Sequence, residues 1–376
     1  MKRKQKSLVM AESSKVFQNI FNNLGQVLLF VITAVPTIAV VFILFFIAKE
    51  AMPFFASMSS VVEFFTSSNW TPSVEENPSF GALSIFYGTA MVTLGACVIA
   101  VPLSILAAVC LNEIIAKTHS QVFKPIIELL AAIPSVAYGF FAMVILAPLL
   151  QDNGNYILSV VSLGVGVFAS FVLALLIGEL LSYRYFPKAT ARVRGVFKFI
   201  IFAIFFVVAA KFSYDLLGVK VLSGTNALNA SVILAIMALP TIVSISQDAL
   251  LSVGREMREG SLALGATRAE TIFKVIIPCA KNGIMVAVIL GFMRVLGETM
   301  VVWMASGNSL KIPEPFYNFL EPVRTLTATV ASEMGEADQS TGSMRYHVLF
   351  AMSLCLLIAC LGLNAASHFV SNRKGK

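Results

Sequence analysis

Between Gly291 and Asn308 the sequence reads Gly-Phe-Met-Arg-Val-Leu-Gly-Glu-Thr-Met-Val-Val-Trp-Met-Ala-Ser-Gly-Asn, an apolar run that carries Arg294 and Glu298. Four residues apart, the two share one face of a helix. A charge at the centre of a bilayer costs roughly 2.5–3.5 kcal/mol on the insertion scale, so a membrane run that keeps two of them has a use for them. A guanidinium offers a planar fork of donors that suits an oxyanion and stays charged at any relevant pH. A carboxylate one turn away can hold that fork between ligands and repel an anion that fails to displace it. The other reading is a structural ion pair that locks the run against a neighbour and touches no ligand.

Weaker candidates lie on two proline-containing runs, Pro134-Ser135 and Pro240-Thr241. A proline frees backbone groups inside a helix. Ser135 and Thr241 therefore either line a polar path or satisfy a kink. Tyr138 reads as a packing aromatic. The five cysteines (Cys97, Cys110, Cys279, Cys355 and Cys360) have neither metal-site spacing nor an external disulfide frame, and read as packing residues. Neither a metal site nor a cofactor site is expected, and no catalytic residues are.

The elements that must position these residues are membrane helices. Of 376 residues, 58% are hydrophobic and 12% charged, more apolar surface than a soluble domain can hide. The net charge of +7 sits in loops between apolar runs, a pattern of membrane orientation and lipid contact rather than of nucleic-acid binding. Eight candidate spans run over 25–48, 84–110, 126–150, 157–181, 199–218, 229–250, 283–305 and 347–370. With the amino terminus inside, 20 of the 27 lysines and arginines fall on the inner face. Both termini are then expected to be cytoplasmic, with tails at 1–24 and 371–376. The whole of 25–370 reads as one helical membrane domain. Two outer loops, about 49–83 and 306–346, are too small to be catalytic domains. Thr325–Glu336 in the second is expected to be an amphipathic helix lying on the outer surface.

On the inner side, residues 259–278 read Glu-Gly-Ser-Leu-Ala-Leu-Gly-Ala-Thr-Arg-Ala-Glu-Thr-Ile-Phe-Lys-Val-Ile-Ile-Pro, within a loop at 251–282. A short helix around 256–264 would present Glu259, Gly265 would turn the backbone as a cap glycine does, and Pro278 would end the segment before the next span. An ordinary amphipathic interfacial helix is the alternative, but it does not require this spacing. Glu259, Gly265, Ile277 and Pro278 resemble the cytoplasmic loop of ATP-binding-cassette importer permeases, with Gly260-Ser261 where that loop has two alanines. No Gly-x-x-x-x-Gly-Lys-Ser/Thr phosphate loop is present, so ATP hydrolysis is assigned to a partner and the chain itself is not read as an enzyme.

The likeness narrows further. Phe80–Thr89, Ile133–Gly139, Leu234–Thr241 and Arg294–Thr299 followed by Met300 resemble the PstC-type permease subunit of the high-affinity phosphate importer. The match covers about 25–150 and 225–370. The resemblance implies an all-helical bundle of six core spans in a bacterial inner membrane and a transport role for Arg294 and Glu298, with Thr299 beside them. It also implies a homologous PstA-like permease, two PstB-like ATP-binding subunits and an external PstS-like phosphate-binding protein as partners. Residues 157–218 depart from it and are expected to form an inserted peripheral hairpin joined by the basic stretch 182–198. Other readings are a permease for sulfate, molybdate or phosphonate, a membrane sensor or scaffold in phosphate signalling, and a secondary transporter, for which Glu298 is the one well-placed carboxylate.

Overall fold

Apolar runs of this length can satisfy their backbone groups within a bilayer as helices or closed barrels, and the chain takes the helical solution. A computed structural model describes residues 12–72, 74, 78–115, 117–185, 191–337 and 343–372. The order is α1 (Glu12–Phe55), α2 (Met58–Thr66), β1 (Trp70–Thr71), β2 (Ser79–Phe80), α3 (Leu83–Val109), α4 (Lys117–Ala132), α5 (Ser135–Phe141), α6 (Ala147–Tyr185) and α7 (Ala191–Leu216). It continues through α8 (Ala227–Leu251), α9 (Arg255–Ala263), α10 (Arg268–Thr271), α11 (Ile277–Leu296), α12 (Met300–Ala305), α13 (Leu326–Glu333) and α14 (Met344–Asn372). Three π-helical turns are present: Cys110–Ile114 follows α3, Ala142–Leu146 joins α5 to α6, and Ile272–Ile276 joins α10 to α11.

Among the described residues, seven helical stretches are long and apolar enough to cross a membrane, where eight were expected. The expected gap between the third and fourth spans is absent, because Asp152, Asn153, Gly154 and Asn155 are helical and the run passes straight into α6. Polar residues and a single glycine weaken a helix but do not remove a hydrogen bond from it as a proline does. The break falls earlier, at Ile133-Pro134. There the Tyr138 hydroxyl donates to the Leu130 carbonyl at 2.7 Å, satisfying an acceptor at the end of α4. The helices therefore do not reproduce the even number of crossings that placed both termini on one side. Lys2, Arg3, Lys4, Lys6, Lys188, Arg373, Lys374 and Lys376, used in that argument, lie outside the described residues. The described part of the expected amino-terminal tail is helical and continuous with the first span.

The core is built on small residues that let helices approach closely. α3 and α8 run parallel, and a Cβ on Gly95 of α3 would lie 2.6 Å from the Ser231 hydroxyl of α8. The Ser231 hydroxyl itself donates to the Ala227 carbonyl at 2.7 Å. α11 runs antiparallel to α8, with Gly283 against Ala249 and Gly291 against Ile242. The segment 117–146 also runs antiparallel to α8, Lys124 lying by Asp248 and the Ala142 carbonyl accepting from the Asn229 amide. α14 and the end of α1 close the other side through Phe46 and Phe350, whose rings meet edge-on at 5.8 Å.

The expected hairpin is present as α6 and α7, beginning ten residues earlier than 157. The two helices pack along one another, with buried Ser159 and Ser213 joined at 2.9 Å and Gly166 against Ala209. They meet the core at their open end, where Gly224 abuts the Ala147 carbonyl. Thr325–Glu336 is not the surface helix expected. Its helix, α13, buries Leu326, Thr327, Ala328, Thr329 and Glu333. Thr325 caps it by accepting from the Ala328 amide, and Thr89 of α3 accepts from the Leu326 amide. Short side chains make that close burial possible, and they also blur the amphipathic pattern that suggested a surface.

Candidate functional site

Just beyond α8, α9 matches the expected short helix, and Glu259 is exposed on it. Gly265 follows with φ +86°, the left-handed backbone that favours glycine, and a Cβ there would meet open space. The helix restarts at Thr267, which forms a reciprocal capping box with Glu270. Pro278 does not end the segment as expected. It occupies the first turn of α11, and the helix runs on to Leu296. The preceding π turn explains this: the Ile277 amide closes it onto the Ile272 carbonyl, and the proline falls at a helix start, where it is tolerated. The tip of this loop is open, with Leu264 90% exposed and Met257 and Leu262 about half exposed.

Deeper in the bundle, the structure separates Arg294 from Glu298. α11 stops at Leu296, Gly297 caps it, and Glu298 and Thr299 lie outside helix before α12 begins. No ion pair joins Arg294 to Glu298 among the described residues, and the Glu298 carboxylate has no hydrogen-bond partner there. The expected span at 283–305 is thus displaced to Arg268–Leu296 and interrupted at Gly297. An interruption at this depth leaves backbone groups to be satisfied. The Glu298 carbonyl accepts from the Thr327 hydroxyl at 2.7 Å.

Arg294 instead donates from Nη1 to the Thr241 hydroxyl at 3.1 Å, so the structure brings two of the expected path residues together. Its Nε is buried and has no acceptor among the described residues. Tyr138, buried on α5, lies within electrostatic reach of the guanidinium. Pro134 breaks its helix as expected and leaves Ser135 half-buried at the start of α5. Pro240, by contrast, sits inside an unbroken α8. Thr299 lines a groove of about 700 Å³ between α1, α11, α13 and α14 that also reaches Thr327 but not Arg294.

Residues 174–375 match the family described as binding-protein-dependent transport system inner membrane component. The chain belongs to that family. Its members are membrane transport permeases, and the long apolar helices of this one fit a multi-pass membrane protein. The permease is 32% identical over 327 residues to a probable ABC transporter permease protein, YqgH, of Bacillus subtilis, covering 87% of this chain and 82% of the relative. It is 30% identical over 330 residues to the phosphate transport system permease protein PstC of Xylella fastidiosa, covering 86% of each. It is likewise 30% identical over 310 residues to the PstC protein of Mesorhizobium japonicum, covering 82% of this chain and 78% of that one. The matched family region begins inside α6 and so takes in α7 and the whole loop at 251–282.

Two groups of residues escaped the sequence reading. Thr327 sits in a stretch read as surface, so its role at the Gly297 interruption was hidden. Glu113 and Arg258 pair at 2.9 Å although they are 145 residues apart, a distance no local pattern can bridge.

Proposed function

We propose that the permease is one of two membrane subunits of an ATP-driven importer of inorganic phosphate in a bacterial cytoplasmic membrane. Separate ATP-binding subunits dock on α9, a homologous second permease completes the pathway, and an external binding protein delivers the anion. Arg294 carries the reading for the anion. It is a guanidinium inside an apolar helix, tied to one neutral hydroxyl, with a buried donor left over. A purely structural arginine at that depth would be expected to be paired with a carboxylate. The PstC relatives, similar over most of the chain, support phosphate as the anion. In this reading Thr241 orients the fork, Ser135 and Glu298 line the approach, and Glu259 with the open tip at Leu264 faces the ATPase, whereas Thr299 belongs to the separate groove beside α14. ATP binding would draw the docking loops together and rock the spans about the anion site.

Uptake of radiolabelled phosphate by phosphate-starved cells lacking this chain tests the proposal. Complementation should restore ATP-dependent uptake that excess sulfate does not inhibit. Uptake that is unchanged by loss of the chain would point to a sensor or scaffold. Competition by sulfate would point to another oxyanion.

A further inference from the structure

Docking helix α9 has no fully buried residue, and its apolar contact with the bundle is limited to the half-covered Leu262 beside Ile272 and Ile276. The rest of its hold is polar and concentrated on Arg258. One Nη of Arg258 donates to the Val253 carbonyl at 2.6 Å. The other donates to the Leu250 carbonyl at 2.8 Å and to the Glu113 carboxylate at 2.9 Å. Leu250 lies in the last turn of α8 and Val253 just beyond it, at a helix end whose dipole favours a cation. Glu113 lies in the π turn that ends α3. A single side chain therefore ties the docking helix to the ends of two core spans, and the ion pair is mostly buried, with Arg258 22% and Glu113 10% exposed.

The neighbouring contacts fit a joint rather than a rigid weld. Beside the pair lies a cavity of about 130 Å³ lined by Leu262, Arg268, Thr271 and Ile276 among others. On its far side α9 reaches the end of α10 through a hydroxyl pair, Ser261 and Thr271 at 3.0 Å. π turns, which often mark functional sites in helices, lie in both spans that flank α9 in this way. Glu259, the next residue, is exposed on the side left for a partner.

We propose that the Arg258–Glu113 pair is the positioning joint that makes α3 move together with α8 when the docking helix is displaced. This rests on the docking reading of α9 given above. Displacing α9 pulls on α8 directly through residues 252–254, and the Arg258 fork carries the same movement to α3 through Glu113. Without the Glu113 charge, α9 still meets its partner and still holds α8, but α3 is released. The defect is therefore one of coupling, not of docking or hydrolysis.

The test uses the complete complex in proteoliposomes, with inorganic phosphate and the external binding protein supplied. Glu113→Gln keeps the shape and removes the charge. Arg258→Lys keeps the charge and loses the fork. Both should retain the ATP-binding subunits at wild-type stoichiometry and near-normal ATP hydrolysis. Phosphate moved per ATP should fall by about fivefold or more, in the range typical of coupling between sites. An unchanged ratio in both variants overturns the joint. If Glu113→Gln fails to assemble, Arg258→Lys decides alone, a lowered ratio supporting the joint and an unchanged one overturning it. Glu259→Lys separates the underlying reading: it should shed the ATP-binding subunits, and their full retention would count against docking on α9 whatever the ratio shows.

Discussion

Two arginines in this permease are treated in opposite ways. Arg258, just beyond α8, has two carbonyls and a carboxylate within 2.9 Å. Arg294, inside the bundle, has a single hydroxyl and a buried donor to spare. Burying a charge is costly unless it is paired and hydrogen-bonded. Arg258 meets that condition within the chain and serves mechanics. The deeper one does not, and its incomplete set of partners leaves room for an anion that arrives and departs.

The contrast can be broken most forcefully at Arg294. Arg294→Gln should lower phosphate uptake by about 100-fold, the size expected when charge-assisted hydrogen bonds to an anion are lost. Co-purification of the other subunits should be unaffected, because no carboxylate is stranded. A variant that fails to assemble would make Arg294 a structural residue instead.

Next in size is a change that should act on the fold alone. A Cβ on Gly88 would lie 2.3 Å from the Arg324 carbonyl, a backbone atom that cannot step aside. Gly88→Leu should therefore destabilise the purified protein by about 1–3 kcal/mol or more, as overpacking does, read as a lower thermal midpoint. An unchanged midpoint would mean that the loop before α13 is not held against α3 at Gly88.

A smaller effect is expected at the docking loop. Thr267→Ala removes one half of the capping box and should cost about 1 kcal/mol locally. It should be visible as faster amide exchange over 267–271 with transport largely kept. The smallest effect belongs to Glu298→Gln. Because its carboxylate does not pair with Arg294, uptake should change by no more than about threefold, well under the cost of losing a charged hydrogen bond. A loss equal to that of Arg294→Gln would show that the two charges work as a pair.

Much of this arrangement was legible in the sequence. The short helix α9 and the turn after it were legible, because Glu259 and Gly265 act through local rules, an exposed helix face and a left-handed cap glycine. The long apolar helices were equally plain from run length. What failed were inferences that extended a local rule past its reach. Four-residue spacing places Arg294 and Glu298 on one face while the helix continues, and Gly297 ends it between them. Pro278 stops a helix entered from an ordinary turn, but here it follows a π turn and begins one. The polar Asp152–Asn155 stretch resembles a loop, yet it contains nothing that removes a backbone hydrogen bond. The clasp between Glu113 and Arg258 was invisible for a different reason. It is a contact of tertiary structure alone, made where two helix ends and a short loop helix converge.

The most direct test is ATP-driven uptake of labelled phosphate into proteoliposomes holding the complete complex, wild type beside Arg294→Lys at equal assembly. The account predicts that wild type accumulates phosphate only with ATP and regardless of excess sulfate. Lysine keeps the charge but not the fork, so its uptake should fall by about tenfold, the loss of one good charged hydrogen bond. An assembled Arg294→Lys complex that imports phosphate as fast as wild type would contradict the assignment of Arg294 to the anion path.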